Sequence, residues 1–310
     1  MNVHATTDSR LESNSVSYSE HKSTPIISRY VLFVKPHIIT TFTLVGVAGT
    51  VLAEQNSAHF HWGLYLKVIA STFLLSAAAE SWTNLIDRKI DSVMERTKRR
   101  ALPVQTITTT SAGIFALALT ISGSLLAASL GVIPFVFFSF AFLDNVIIYS
   151  LLTKKVTPWS IVLGSPVSLL VLWAGYTAGS KPIPLSVFLL GIAITAWVPI
   201  HIWAIATRYS KDYAKAHVPM APVVWHRGSL ALAMLISGII MIGTATPALA
   251  MLGTRTPVHL FFIAILTIFS LLIVLFASLL PWHTKFAPVI IKTVTLYLLM
   301  LLITSICFVA

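Results

Sequence analysis

The sequence contains a single cysteine, Cys307, in 310 residues. One cysteine excludes a disulfide framework within the chain and a zinc site built from cysteines. Cys307 lies inside a late apolar run, so we expect it to be a small apolar packing residue. The cysteine content therefore predicts no thiol chemistry and does not indicate a redox compartment.

Charged residues are also scarce. They make up 10% of the chain, whereas 56% of residues are hydrophobic and the mean hydropathy is +0.87. A soluble domain has roughly 25% charged residues, so this composition indicates a polytopic membrane protein. The formal net charge is +11. The basic residues lie between apolar runs, which indicates that they set the membrane topology or bind anionic ligands. We therefore expect no nucleic-acid partner.

Apolar runs long enough to cross a bilayer recur along the chain and predict an all-α protein of about nine transmembrane helices. We place these helices at 36–54, 62–83, 109–128, 130–152, 158–178, 183–206, 228–248, 257–280 and 288–308.

Residues 1–28 contain no such run. They are polar and rich in serine and threonine, without the apolar core of a signal peptide or the composition of an Arg-rich transit peptide, which predicts a disordered cytoplasmic tail. The membrane domain is expected over 29–310. Two of its loops, 84–108 and 207–227, stand out by length and polarity.

The basic residues are distributed unequally between the two sets of loops. If the N-terminus is cytoplasmic, the opposite face has only Lys181 and Arg255. The cytoplasmic side then holds Arg10, Lys22, Arg29, Lys35, Arg88, Lys89, Arg96, Lys98, Arg99, Arg100, Lys154, Lys155, Arg208, Lys211, Lys215, Arg227 and Lys285. This positive-inside bias predicts an N-in, C-out orientation with both long loops in the cytoplasm.

Acidic residues are the scarcest charged type, yet Asn84, Asp87, Asp91 and Glu95 follow one another at spacings of three, four and four. On a helix they would share one face, where like charges destabilise each other unless a cation lies among them. Carboxylate and amide oxygens suit Mg2+, which is usually held by a few carboxylates together with substrate phosphates. The spacing therefore predicts a magnesium site.

Four basic residues lie directly after this acidic stripe in the sequence: Arg96, Lys98, Arg99 and Arg100. Such residues neutralise polyanions, so the segment predicts a diphosphate site in which the acids bind metal and the bases bind phosphate, rather than one another. The simpler alternative is a solvated loop whose acids and bases form i, i+4 pairs.

The segment NLIDRKIDSVMERTKRR (84–100) resembles the first aspartate-rich motif of the UbiA-type intramembrane prenyltransferases. Within that superfamily, four further segments in the same order resemble the protoheme IX farnesyltransferase (haem O synthase) family. They are VKPHII (34–39), YSLLTKKVTPWSIVLG (149–164), WVPIHIWAIA (197–206) and KDYAKAHVPMAPVV (211–224). The chain departs from that family's pattern in the fifth predicted helix, at Ala101, where proline is usual, and at Ile200.

The resemblance implies a UbiA-type helix bundle in the cell inner membrane, with its active site on the cytoplasmic side. It implies transfer of the farnesyl group of farnesyl diphosphate to a vinyl group of haem B, which gives haem O. It also implies contact with membrane lipid and functional links to haem A synthase or to terminal-oxidase assembly.

On this reading, Asn84, Asp87 and Asp91 bind Mg2+ and are catalytic together with Asp212. Asp212 would hold a second Mg2+ or orient Lys211 or Arg208. His201 and His37 are candidate acceptor or haem ligands, although a structural histidine is an equally simple reading of His201. The predicted diphosphate-binding residues are Arg96, Lys98, Arg100, Lys154, Arg208 and Lys211.

Two further acids lie within apolar runs. Glu80 would either line the cavity or bond locally, and Asp144 would point into the cavity or pair with Lys154 or Lys155. Three rival functions stay open: a prenyltransferase acting on a quinone precursor, a transporter or channel, and a non-catalytic haem-handling protein. The polar residues concentrate at one face, which argues against transport, and the intact acidic stripe argues against simple haem handling.

Overall fold

The computed structural model describes residues 25–55, 60–253 and 256–308, and the regular elements within those ranges are helices. In chain order they are α1 (Ile26–Phe33), α2 (Pro36–Glu54), α3 (Trp62–Val93), α4 (Thr109–Ala128), α5 (Val132–Leu143), a π-helix (Asp144–Thr153), α6 (Ser160–Leu163), α7 (Val167–Ala178), α8 (Leu185–Arg208), α9 (Ser210–Lys215), α10 (Ala221–Val224), α11 (Arg227–Leu252), α12 (Pro257–Leu279), a 3-10 helix (Thr284–Phe286) and α13 (Ala287–Cys307).

In the described part of the chain, nine helical segments are long and apolar enough to cross a membrane, which confirms the predicted number. Their ends lie within four residues of the predicted ends, except that α3 continues ten residues past position 83 to Val93. Most of the tail predicted at 1–28 lies outside the described residues, and its last residues begin α1. The N-in, C-out orientation stays a prediction.

The spanning helices form a closed ring in which each packs against its neighbours in sequence. The last helix, α13, also packs against the first spanning helix, α2, and this contact closes the ring. The most extensive contacts across the ring are α2 against α7 and α8 against α13, and α3 also contacts α5, the π-helix and α7. The long polar side chains of α3 are therefore surrounded by several other elements.

Glycines allow α2 and α7 to approach at backbone distance. A Cβ added to Gly175 would lie 1.9 Å from the Gly46 carbonyl oxygen, and one added to Gly49 would lie 2.2 Å from the Leu172 oxygen. The Thr50 hydroxyl donates to the Gly175 oxygen at 3.1 Å. Small residues and hydroxyl hydrogen bonds of this kind hold membrane helices together where no hydrophobic driving force between helices exists.

Two spans are irregular near the predicted site. The fourth changes from α-helix to π-helix at Asp144, and the fifth is interrupted between Leu163 and Val167, where Pro166 has no N–H to donate. The Asp144 carboxylate accepts from the Val167 N–H at 3.2 Å. Asp144 thus caps α7, whereas the sequence suggested a cavity position or a pair with Lys154 or Lys155.

Candidate active site

The acidic stripe lies on the last three turns of α3 and on the turn before them. Asn84, Asp87 and Asp91 are buried, as is Glu80 one turn earlier. These positions share one helix face, as their spacing predicts. Glu95 does not belong to the stripe, because α3 ends at Val93 and the chain turns away at Met94, which leaves Glu95 exposed.

Each buried carboxylate of the stripe has one basic partner, and each partner comes from a different segment. Asp87 pairs with Lys154, which follows the π-helix. The Arg100 guanidinium donates to both oxygens of Asp91, at 3.1 and 2.9 Å. Paired in this way, the buried charges avoid the large cost of an isolated ion in an apolar surrounding.

We expected the acids and bases of segment 84–100 to bind metal and phosphate and not chiefly one another, but the structure shows two ion pairs within the segment. Asp91 pairs with Arg100, and Glu95 pairs with Lys98 at the surface. Glu95 also accepts from Lys215 at 3.2 Å, and its hydrogen bonds to the two lysines lower its pKa. Lys98 is therefore an exposed surface residue joined to Glu95, away from the buried carboxylates.

Lys154 is a largely buried cation of the site, with its side chain 14% exposed. Burial by itself lowers the pKa of Lys154, but the neighbouring Asp87 charge contributes in the opposite direction and the net pKa is raised above its ordinary value. The ammonium lies 5.5 Å from the centroid of the Tyr149 ring. The π-helix positions this residue, since the Lys154 N–H bonds the carbonyl of Tyr149 at 2.9 Å, five residues earlier.

Two oxygens of the stripe fit a divalent cation. The Asn84 amide donates to the Phe33 carbonyl at 2.7 Å, which leaves its Oδ1 buried without a hydrogen-bond partner in the described structure, and Asp87 Oδ1 is in the same state. Oxygen donors of this kind are those that Mg2+ prefers. In residues 25–55, 60–253 and 256–308, no three histidine, cysteine, aspartate or glutamate side chains converge on a metal position. These residues therefore fit a cation that takes its other ligands from substrate.

A cavity of about 220 Å3 opens beside the stripe, bordered by α1, α3 and the segment after α3. Its charged and amide-bearing lining residues are Arg29, Lys35, Asn84, Asp91, Arg99 and Arg100. The cavity thus combines metal-compatible oxygens with four basic side chains, the combination that a diphosphate requires. Arg99 and Arg100 belong to the basic run that the sequence predicted to bind phosphate, whereas Arg29 and Lys35 were not predicted to do so.

Arg96 lies at the contact between the two long polar segments. Its backbone N–H donates to Asp212 Oδ2 at 3.0 Å, and its guanidinium donates to the Tyr213 hydroxyl at 3.4 Å and lies 5.0 Å from the Tyr209 ring centroid. The sequence suggested that Asp212 binds a second Mg2+ or orients Lys211 or Arg208. In the structure Asp212 Oδ2 holds the backbone of Arg96, and the suggested roles of Asp212 stay predictions.

The other predicted residues lie further from the stripe. Arg208 and Lys211 are exposed, and Arg208 lies over the Tyr209 ring at 5.4 Å. His37 is exposed on the first turn of α2. His201 stacks on Trp197 with ring centroids 4.7 Å apart, and its Nδ1 is buried without a hydrogen-bond partner in the described residues.

Residues 41–289 match the model of the UbiA prenyltransferase family. The chain belongs to this family and is a multi-pass membrane prenyltransferase. A curated relative, the protoheme IX farnesyltransferase of Thermoplasma acidophilum, is 36% identical over 197 residues, which cover 62% of this chain and 67% of the relative.

Solved structures share the fold. A structure of digeranylgeranylglyceryl phosphate synthase has a TM-score of 0.71 at 18% identity, covering 91% of this chain and 99% of its own. A UbiA homolog from Archaeoglobus fulgidus bound to GPP and Mg2+ has a TM-score of 0.66 at 13% identity, covering 90% and 99%. At these identities the likeness establishes the helix bundle alone.

Proposed function

We propose that this chain transfers the farnesyl group of farnesyl diphosphate to a vinyl group of haem B and so makes haem O. The observation that carries the proposal is the buried stripe of Asn84, Asp87 and Asp91 beside a basic cavity of about 220 Å3. The name of the Thermoplasma acidophilum relative supports the choice of donor and acceptor.

The donor side of the proposal rests on charge. A prenyl diphosphate reacts when its C1–O bond breaks and the electron pair leaves with the diphosphate. In a low-dielectric site this negative charge must meet preorganised positive groups. Arg100 and Lys154 lie at the stripe, and both now compensate a carboxylate. Exchange of those carboxylates for phosphate oxygens would direct both cations to the leaving group.

Mg2+ is the proposed cofactor, with Asn84, Asp87 and Asp91 as its protein ligands. A bound Mg2+ would supply positive charge to the departing diphosphate. The unpartnered oxygens of Asn84 and Asp87 support this role. The UbiA homolog from Archaeoglobus fulgidus, which binds GPP and Mg2+, gives a precedent in the same fold.

The acceptor side rests on the vinyl chemistry of haem B. The vinyl π electrons form the new carbon–carbon bond with farnesyl C1, and the cation left beside the porphyrin is captured by water with loss of a proton. His201 is the proposed acceptor-side residue, since its Nδ1 is buried without a partner in the described residues and its ring is held against Trp197. His37 is the weaker candidate because it is exposed.

We further propose that the reaction takes place at the cytoplasmic face of the cell inner membrane, where the basic loops would lie. Haem O leaving this site would go to haem A synthase or to terminal-oxidase assembly. Four exposed basic residues of the polar segments would attract the anionic donor at longer range: Arg96, Lys98, Arg208 and Lys211. Arg96 also joins the two segments.

The test uses the purified full-length protein in lipid nanodiscs with farnesyl diphosphate and haem B, with MgCl2 or with excess EDTA. We expect a haem product heavier by one farnesyl group and one hydroxyl group, formed only with the divalent cation. Product formed equally well in EDTA would contradict the metal assignment. Magnesium-dependent release of diphosphate with haem left unchanged would contradict the acceptor assignment.

A further inference from the structure

Glu80 and Lys35 form an ion pair that the predicted metal and phosphate sets do not include. Lys35 Nζ lies 2.5 Å from Glu80 Oε2, and the side chains are 15% and 10% exposed. Buried pairs lose much of their Coulomb energy to desolvation, so burial of this pair is a weak argument for stability. A role in the reaction is a better reason to place two opposite charges here.

The pair lies at the boundary between two cavities. Lys35 lines the basic cavity of about 220 Å3 described above. Glu80 lines a second, much smaller cavity of about 30 Å3 whose other walls are largely apolar, with Phe42, Phe138 and Val171 among them. One residue of the pair therefore lines a polar cavity, and the other lines a largely apolar cavity.

A prenyl diphosphate is divided in the same way. Its headgroup is a polyanion, its chain is hydrocarbon, and the bond that breaks joins the two. Glu80 precedes Asn84 by one turn on the same face of α3. A donor whose diphosphate occupies the basic cavity therefore has its C1–O bond near the level of Glu80. The small cavity has room for roughly two water-sized groups, enough for the reacting end of the chain only.

We propose that Lys35 and Glu80 stabilise the two charges that form when the donor's C1–O bond breaks. The electron pair of that bond leaves with the diphosphate, whose new charge faces the Lys35 ammonium. The allylic cation left on C1 faces the Glu80 carboxylate. No proton moves in this step, and both side chains keep their charge.

This assignment makes both residues catalytic and rests on the proposed prenyl-transfer function. It is consistent with the backbone at Lys35, which has φ of +56° directly before Pro36. A non-glycine residue in the left-handed region is strained and is held there only by surrounding contacts. The ion pair is one of those contacts, so the structure holds the Lys35 ammonium at the boundary.

The experiment measures bond ionisation without the acceptor, as release of diphosphate and farnesol from farnesyl diphosphate. Glu80→Gln keeps the side-chain shape and removes the charge. We expect kcat to fall by about 10- to 100-fold with KM within threefold, because only the transition state carries the positive charge. Lys35→Met should raise KM and lower kcat, because the diphosphate is anionic in the ground state too.

A double variant separates catalysis from structure. Lys35→Met combined with Glu80→Met removes both charges, and apolar replacement of a buried pair commonly preserves the fold. If the ion pair has only a structural role, the double variant should regain the wild-type rate. The proposed role predicts that it stays at least as slow as Glu80→Gln while its thermal midpoint matches the wild type. Recovery of the rate would overturn the proposal.

Binding of inorganic pyrophosphate, followed by thermal shift, provides a readout independent of turnover. We expect Lys35→Met to weaken it and Glu80→Gln to leave it unchanged; equal binding to wild type and Lys35→Met would overturn the assignment of Lys35. The matched control is Glu54→Gln, since Glu54 pairs with His61 at 2.6 Å at the other end of α2, and its rate should equal wild type.

The outcomes also separate this inference from the function it rests on. If the wild type ionises no prenyl diphosphate, the proposed function fails. If the wild type is active and Glu80→Gln stays within twofold of it, the proposed function stands and the role of Glu80 is overturned.

Discussion

At the scale of single residues, Asp87 combines two tasks. One carboxylate oxygen pairs with the Lys154 ammonium, and the other is buried with no hydrogen-bond partner in the described structure. The first contact neutralises a charge that could not otherwise be buried. The second oxygen is available to a ligand without disrupting the fold. Asp87 is therefore the residue on which the proposed binding of Mg2+ and diphosphate depends most directly.

We predict that Asp87→Asn lowers the rate of farnesyl diphosphate ionisation by on the order of 10²–10³-fold, because it removes a carboxylate from the place where diphosphate charge is compensated. The measurement is diphosphate release by the purified variant, with its thermal midpoint recorded beside it. Glu95→Gln is the control, since this exposed acid lies eight residues further on and should leave the rate within twofold. Similar losses in both variants would contradict the assignment.

The sequence predicted the stripe but not its partners. Spacings of three and four define a helix face by local geometry alone. The partners of Glu80 and Asp87 come from segments 45 and 67 residues away, and only the packing of α2 and the π-helix against α3 brings them close. Arg29 and Lys35 line the cavity for the same reason, and for Lys35 the Lys-Pro pair at the start of α2 was the only signal in the sequence.

At the scale of helices, the close contact of α2 and α7 sets the position of the site's walls. Lys35 directly precedes α2, and the Asp144 carboxylate caps α7. The positions of both side chains therefore depend on how α2 and α7 pack. Gly175 forms the nearest point, where any side chain would collide with the Gly46 carbonyl. The distance between the helices is therefore fixed by backbone atoms.

We predict that Gly175→Ala lowers the free energy of unfolding by roughly 1–3 kcal/mol or more, because the added methyl group has no free space. Gly113→Ala is the matched control, since a Cβ there meets no atom within 4 Å, and in a helix alanine is favoured over glycine by about 0.5–1 kcal/mol. Thermal unfolding in detergent should show a lower midpoint for Gly175→Ala only. Equal midpoints for both variants would contradict the packing described here.

Helix boundaries were predictable where hydropathy alone decides them. The α2 bounds, 36–54, follow from an apolar run and a proline at the first turn, and the structure has the same bounds. Position 83 was a wrong end for α3, because neighbouring segments bury Asn84, Asp87 and Asp91 and the helix continues to Val93. The π-helix was not predictable, since its hydrogen-bond pattern leaves no periodic signal over ten residues.

At the scale of the whole molecule, the uneven distribution of basic residues predicts which side of the membrane holds the site. The stripe, the basic cavity and the contact between Arg96 and Asp212 belong to one end of the bundle. Cys307, expected to be a packing residue, is instead exposed on α13. Its replacement by serine gives a cysteine-free chain in which single cysteines report topology.

We predict that Lys181→Cys in the Cys307→Ser background reacts with a membrane-impermeant maleimide on intact cells, whereas Lys89→Cys reacts only in inside-out vesicles. The physical reason is the positive-inside bias, which places segment 84–108 in the cytoplasm and Lys181 outside. Cells permeabilised with detergent provide the control, since both variants should then react. Labelling of Lys89→Cys on intact cells would contradict the N-in orientation.

The measurement that tests the central claim most directly is acceptor choice. Membranes containing the protein are incubated with isotope-labelled farnesyl diphosphate, MgCl2, haem B and a quinone precursor. The labelled products are then separated and identified by mass spectrometry. We predict that the label appears in a haem with the mass of haem O, and that Asp87→Asn abolishes this product. Label found only in the prenylated quinone precursor, with haem B unchanged, would contradict the account.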